Sequence, residues 1–189
     1  MCAIGNTEVV RVLLDYGVDV NKENNSKQTA LLCANLNNRT EIVELLLANR
    51  ADVNAKDNFE ETVLIRASMN RNIKIVKLLL DKGAKVNEKD NYGETALIRA
   101  IMNGHIEIEI VKLLLANGAD VNVENNSGET ALICARNYED VLDLLIDKVV
   151  DINNPDAYGE TILMYANKLG YKTIVEKLIT KGENEVDKN

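Results

Sequence analysis

A six-residue motif, Thr-x-Leu-x-x-Ala, recurs five times along the chain, as Thr29-Ala-Leu-Leu-Cys-Ala34, Thr62-Val-Leu-Ile-Arg-Ala67, Thr95-Ala-Leu-Ile-Arg-Ala100, Thr130-Ala-Leu-Ile-Cys-Ala135 and Thr161-Ile-Leu-Met-Tyr-Ala166. Its threonines are spaced 33, 33, 35 and 31 residues apart. A period of that size marks an array of stacked units, not a globular domain with one central core. A second element keeps step: Ile42-Val-Glu-Leu-Leu-Leu47, Ile75-Val-Lys-Leu-Leu-Leu80 and Ile110-Val-Lys-Leu-Leu-Leu115, with looser copies at 9–14, 141–146 and 174–179. A third, Val or Ile followed by Asn, ends at Asn21, Asn54, Asn87, Asn122 and Asn153. The 189 residues therefore divide into five full units and a leading partial one. The boundaries fall near 1–21 (partial), 22–54, 55–87, 88–122, 123–153 and 154–189.

Each unit has a physical reading. Thr opens a helix, because its hydroxyl accepts a hydrogen bond from a free amide of the first turn. Leu at Thr+2 and Ala at Thr+5 share the buried face, and Ala lets helices approach closely. The Ile-Val-x-Leu-Leu-Leu segment is too apolar around its circumference for an exposed helix and is expected to lie between neighbours. Gly17, Gly83, Gly118 and Gly182 follow these second helices, where a left-handed cap is expected. Asp57, Asp90 and Asp156, with Gly93, Gly128 and Gly159 three residues after the Asx position, supply turn chemistry. The unit is helix, turn, helix, extended turn, and no unit buries its own apolar face alone.

These residues resemble the ankyrin repeats. The resemblance is carried by the period and by Asp90-Asn-Tyr-Gly-Glu-Thr-Ala-Leu97, Gly104-His105 and Gly118-Ala-Asp-Val-Asn122, and it covers essentially the whole chain. It implies an all-α solenoid of stacked helix-turn-helix units with short extended β-turn fingers. The family's Thr-Pro-Leu-His box is altered: proline is replaced by Ala30, Val63, Ala96, Ala131 and Ile162, and histidine by Leu32, Ile65, Ile98, Ile133 and Met164. These replacements are apolar and pack, so the fold is expected to stand without the Thr–His hydrogen bond.

Two units are irregular. Ala100 to Asn122 spans 22 steps where its two predecessors take 20, the surplus lying in Gly104-His-Ile-Glu-Ile-Glu-Ile110; Ala135 to Asn153 spans only 18. Both changes are expected in the loop between a unit's helices or at a helix start. Val149 stands where other units place the capping Gly, and a β-branched residue is costly in left-handed backbone. The chain is expected to avoid that geometry there, making residues 136–152 the weakest link; Arg50 poses a milder version. Residues 1–5 align with the end of a first helix, and 181–189 read as a polar terminal cap or tail.

Chemistry is sparse. His105 is the single histidine, at a place the resemblance makes structural. Cys33 and Cys134 both fall at Thr+4 without a histidine to activate them and read as semi-exposed small apolar residues. Three cysteines with no CxxC pair suit a reducing, cytoplasmic setting and argue against zinc. There is no phosphate loop, nucleophile elbow or His-Glu-x-x-His motif. Neither enzyme activity nor a cofactor is expected. A net charge of −8 disfavours nucleic acid and anionic membranes. No apolar run approaches the ~18 residues of a spanning helix, and no secretory signal is visible at the start.

What remains is a surface. The resemblance implies that turn tips and first helices line a concave binding face. Three residues before each Thr stand Ser26, Phe59, Tyr92, Ser127 and Tyr158; four after stand Cys33, Arg66, Arg99, Cys134 and Tyr165. Seven after come Leu36, Met69, Met102, Asn137 and Lys168, and one before come Gln28, Glu61, Glu94, Glu129 and Glu160. Aromatics and Arg dominate interface hot spots. The expected partner-binding residues are Phe59, Arg66, Met69, Tyr92, Arg99 and Met102, rimmed by Glu61 and Glu94, with Tyr158 and Tyr165 further along. The rival reading pairs each Arg with its neighbouring Glu and uses Met as filler. The expected function is a monomeric, non-catalytic scaffold holding another protein or peptide, one with basic residues if the acidic rim governs. The alternatives are a regulatory or targeting segment of a larger protein, or a host-directed effector suited to the Asn, Lys and Ile bias.

Overall fold

The computed structural model describes residues 6–149 and 151–186, with side chains up to residue 182. Cys2 and the alignment of residues 1–5 with a helix end lie outside the described residues. Among the described residues, one helix, α1 (Thr7–Asp15), is followed by five pairs. These are α2 (Ala30–Leu36) with α3 (Thr40–Ala48), α4 (Val63–Met69) with α5 (Ile73–Asp81), and α6 (Ala96–Met102) with α7 (Ile108–Ala116). Then come α8 (Ala131–Cys134) with α9 (Glu139–Ile146), and α10 (Ile162–Leu169) with α11 (Lys172–Val186). The fold is an all-α solenoid. Among the described residues extended pairing is confined to two isolated bridges, Lys56 with Thr62 and Glu124 with Thr130, one in each of two fingers.

Every Thr of the repeated motif caps its helix: Thr29, Thr62, Thr95, Thr130 and Thr161 each accept from the amide three residues on. That leaves the chain extended at Thr and helical from the next residue, with Leu and Ala turned inward. Leu31, Leu64, Leu97, Leu132 and the paired alanines are buried. The replaced histidine positions Leu32, Ile65, Ile98 and Ile133 are buried too, while Met164 in the last pair is exposed. The second helices touch in series from α1 through α3, α5, α7 and α9 to α11, and α2, α4, α6 and α8 do likewise. Ile42, Val43, Leu46, Ile75, Val76, Leu79, Ile110, Val111 and Leu114 form the layers between them.

The Val-Asn asparagines tie one unit to the next. Asn21, Asn54 and Asn87 accept from the backbone amides of Asp52, Lys85 and Asp120, 2.7–2.9 Å away and 31–33 residues on. Asn87 also donates to the Gly118 carbonyl at 3.0 Å. Fingers are joined similarly: Asn91 N donates to Phe59 O at 3.0 Å and Asn126 N to Tyr92 O at 2.9 Å. Gly93 is required at this junction. Its φ is +74°, and a Cβ there would sit 2.9 Å from the Asn126 backbone nitrogen.

The irregular units absorb their changes differently. The surplus between α6 and α7 is looped out, with His105 exposed in that loop, short of the helix start. The deficit in the next unit is taken from the end of the first helix: α8 has four residues where α2, α4 and α6 have seven. Val149 is buried and does not take left-handed backbone, whereas Arg50 does, at φ 66°. Gly182 corrects the capping expectation. Gly17, Gly83 and Gly118 are left-handed, but α11 runs through Gly182 to Val186. At Gly83 the next residue, Ala84, is buried and its amide returns to Leu79 O. Gly182 is followed by Glu183, a polar residue where the contact that accompanies such a cap calls for an apolar one. The polar C-terminal stretch is thus helical as far as Val186.

Candidate functional site

Each finger is built on an Asx turn. Asp57 Oδ1 accepts from the amides of Phe59 (2.9 Å) and Glu61 (3.2 Å), and Asp90 Oδ1 from Tyr92 (2.8 Å) and Glu94 (2.9 Å). Asn24, Asn125 and Asp156 do the same in their units. The turn lifts the residue three before each Thr outward. Phe59, Tyr92 and Tyr158 are 54%, 57% and 89% exposed, large apolar groups held out on closed turns.

Beneath them runs an ion-pair ladder. Arg66 Nη2 lies 2.7 Å from Asp57 Oδ2, and its Nε meets Glu61. Arg99 Nη2 lies 2.7 Å from Asp90 Oδ2 and 3.3 Å from Glu61 Oε1, while its Nε is 2.6 Å from Glu94. Arg99 thereby joins two units, and its guanidinium lies 5.3 Å from the centroid of the Tyr92 ring. In the last unit the phenol of Tyr165 donates to Asp156 Oδ2 at 2.7 Å, and that bond to a carboxylate pushes its pKa up to about 12. Arg136 and Lys168 lie over the Tyr165 ring, and Lys168 pairs with Glu160.

A rule links the turn residue to the residue nine positions on. Where the turn carries Asp, that residue is a donor to Oδ2: Arg66, Arg99 or Tyr165. Where the turn carries Asn, as at Asn24 and Asn125, it is Cys33 or Cys134. A carboxylate with one oxygen spent on the turn needs a donor for the other. An amide presents its own Nδ2 instead, which Asn24 gives to Gln28 and Asn125 to Glu129. The carboxylates of Asp57, Asp90 and Asp156 are the site residues that the single-column reading left out.

The family model described as Ankyrin repeats (3 copies) matches residues 1–57, 49–125 and 107–189. The chain belongs to the ankyrin-repeat family. No curated protein matches it. Ankyrin repeats are generally protein–protein interaction modules and typically non-catalytic. Among the described residues of this ankyrin chain, no helix is long and apolar enough to cross a membrane, and no cluster of three metal-ligating side chains forms.

The ankyrin geometry brings the expected residues together but changes their roles. Glu61 and Glu94 are not a rim. They are buried at 6% and 7%, under the arginines, so the acidic edge that pointed to a basic partner is not presented there. Met69 is half-buried and Met102 is 48% exposed. Cys33 is half-buried as expected, but Cys134 is buried, and desolvation pushes its thiol up to about 12. Burial raises the Cys33 thiol as well, so both surroundings disfavour the thiolate.

Burial raises the pKa of Glu61 and Glu94 from the ordinary range, and the adjacent arginines only partly oppose it. The folded state therefore holds more protons than the unfolded one between the ordinary Glu range and the raised values. Stability falls as pH rises through that window, and the loss is complete above it. Glu61→Gln with Glu94→Gln removes this dependence. The difference in urea midpoint between variant and wild type is expected to move in the variant's favour between about pH 4 and about pH 7.5. A difference that is flat with pH contradicts it.

Proposed function

We propose that this ankyrin array is a non-catalytic scaffold that holds a partner protein or peptide across its finger tips and first helices. The observation that carries the reading is the row of exposed aromatic side chains, Phe59, Tyr92 and Tyr158, on turns fixed by Asx hydrogen bonds, with backbone bonds to the next finger at Phe59 and Tyr92. Large apolar groups presented on pre-ordered backbone lose little entropy on binding. Met69 and Met102 extend this surface; Arg66 and Arg99, with Glu61 and Glu94 beneath, stiffen it, and Tyr165 continues the row. We read the array as five full repeats and a partial one, with boundaries near residues 21, 54, 87, 122 and 153, acting as a monomer in the cytoplasm.

Affinity capture from candidate lysates with wild type, Phe59→Ala/Tyr92→Ala and a control on an outward second helix, Lys112→Ala, tests the reading. Proteins retained by wild type and by the control should be lost with the double variant. For a purified partner the loss should be about 2 kcal/mol or more, with unchanged helicity by circular dichroism. Equal retention by all three refutes the assignment of this face.

A further inference from the structure

The unit spanning α8 and α9 departs from its neighbours in three ways that converge on one spot. Position Thr+4 carries Cys134 where the two preceding units carry the long side chains of Arg66 and Arg99. The first helix stops at Cys134, three residues early. Arg136, released from that helix, reaches Glu129 at 3.3 Å through Nη1 alone. Beside this spot lies an open pocket of about 170 Å³, lined by Ile101, Met102, Cys134 and Tyr138, with Arg136, Glu129 and Asn137 at its polar side.

Arg136 differs from the other ladder arginines in what it has left to offer. Arg66 and Arg99 each meet two or three carboxylates, at distances down to 2.6–2.7 Å for Arg99. Arg136 spends Nη1 on Glu129 and on the Ile133 carbonyl at 3.1 Å, and among the described residues its Nε and Nη2 make no hydrogen bond. Its Cζ lies over the Tyr165 ring, 5.5 Å from the centroid. The Nε/Nη2 edge is thus unpaired among the described residues, the edge through which a guanidinium takes a carboxylate with two parallel hydrogen bonds. Glu129 is held at Nη1, off that edge.

We infer that this notch is a docking subsite for a peptide segment in which an apolar side chain is followed by a carboxylate. The apolar group enters between Met102 and Cys134, and the carboxylate lies on the Nε/Nη2 edge of Arg136. A pocket of about 170 Å³ has room for one Leu or Met side chain. The inference builds on the proposal that the first-helix face binds a partner, and it names an acidic rather than a basic determinant.

Two tetrapeptides are suitable probes: acetyl-Gly-Leu-Glu-Gly-amide and its Leu-Lys counterpart, titrated to roughly 5 mM into the ¹⁵N-labelled chain. The Leu-Glu peptide should saturably shift the amides of Met102, Cys134, Arg136 and Tyr138. The Leu-Lys peptide should bind at least about tenfold more weakly. Arg136→Gln should lower Leu-Glu affinity to the Leu-Lys level. Cys134→Met, which fills the cavity, should lower it also, and each variant's spectrum shows whether it is folded. Equal behaviour of the two peptides, or no saturable shift at these residues, overturns the inference. Shifts at Phe59 and Tyr92 without shifts at the notch overturn it too, yet leave the finger-tip reading standing.

Discussion

Replacing Arg99 with cysteine is expected to destabilise the fold by about 3 kcal/mol, the lower part of the range for breaking a buried ion pair. The loss is not that of a surface bridge. Asp90, Glu94 and Glu61 have side chains at most 9% exposed, and all three take their cation from Arg99 or share it with Arg66. Removing it strands carboxylates that water does not reach. The low end applies because the Arg99 side chain itself is 19% exposed, so some solvent enters when it goes. The chain already contains a repair. Asp90→Asn combined with Arg99→Cys recreates the Asn–Cys pairing of Asn24 with Cys33 and of Asn125 with Cys134. The double variant should recover at least about 1 kcal/mol relative to additivity, read from urea unfolding of the four corners of the cycle. Strict additivity would mean that the turn residue and its partner nine positions on act independently.

That pairing shows where the sequence was legible and where it was not. The period, the Thr caps and the Leu and Ala faces follow from local rules that any one repeat obeys, and they are the observed architecture. The five Asx–partner pairs were equally visible as letters. Reading each ladder as a column hides them, because the coupling runs within a repeat, from Asp90 to Arg99, and is compelled by an oxygen left over from the turn. The depth of Glu61 and Glu94 was beyond a column reading for another reason. Only stacking places the next finger over them, and burial is a property of neighbours rather than of residue type. Gly182 repeats the Lys-Gly of Lys82-Gly83, yet the cap depends on the residue after the glycine, an inward Ala84 in one case and Glu183 in the other. The short α8 belongs with these: the two-residue deficit was countable, but that α8 would end at Cys134 while Tyr138 packs on the core just before α9 was not.

Leu79→Ala tests the array as an array. Leu79 is wholly buried on α5, between α3 and α7, so its truncation leaves a cavity in the middle of the stack. Cavity-forming Leu→Ala changes cost roughly 2–5 kcal/mol, and a site walled by rigid helices on both sides has little freedom to collapse. Leu163, the Thr+2 Leu of the last first helix, α10, is only half-buried, and Leu163→Ala should cost about 1 kcal/mol. Position matters beyond size. A solenoid is stabilised by nearest-neighbour interfaces, so an end lesion frays one unit whereas a central one weakens coupling between the halves. Amide exchange followed by mass spectrometry should show Leu79→Ala lowering protection on both sides of the lesion, across α4 to α7. Leu163→Ala should lower it only in α10 and α11. If protection falls uniformly along the chain in both variants, the molecule unfolds as one cooperative block, and the layers between its helices act as a single core despite their linear arrangement.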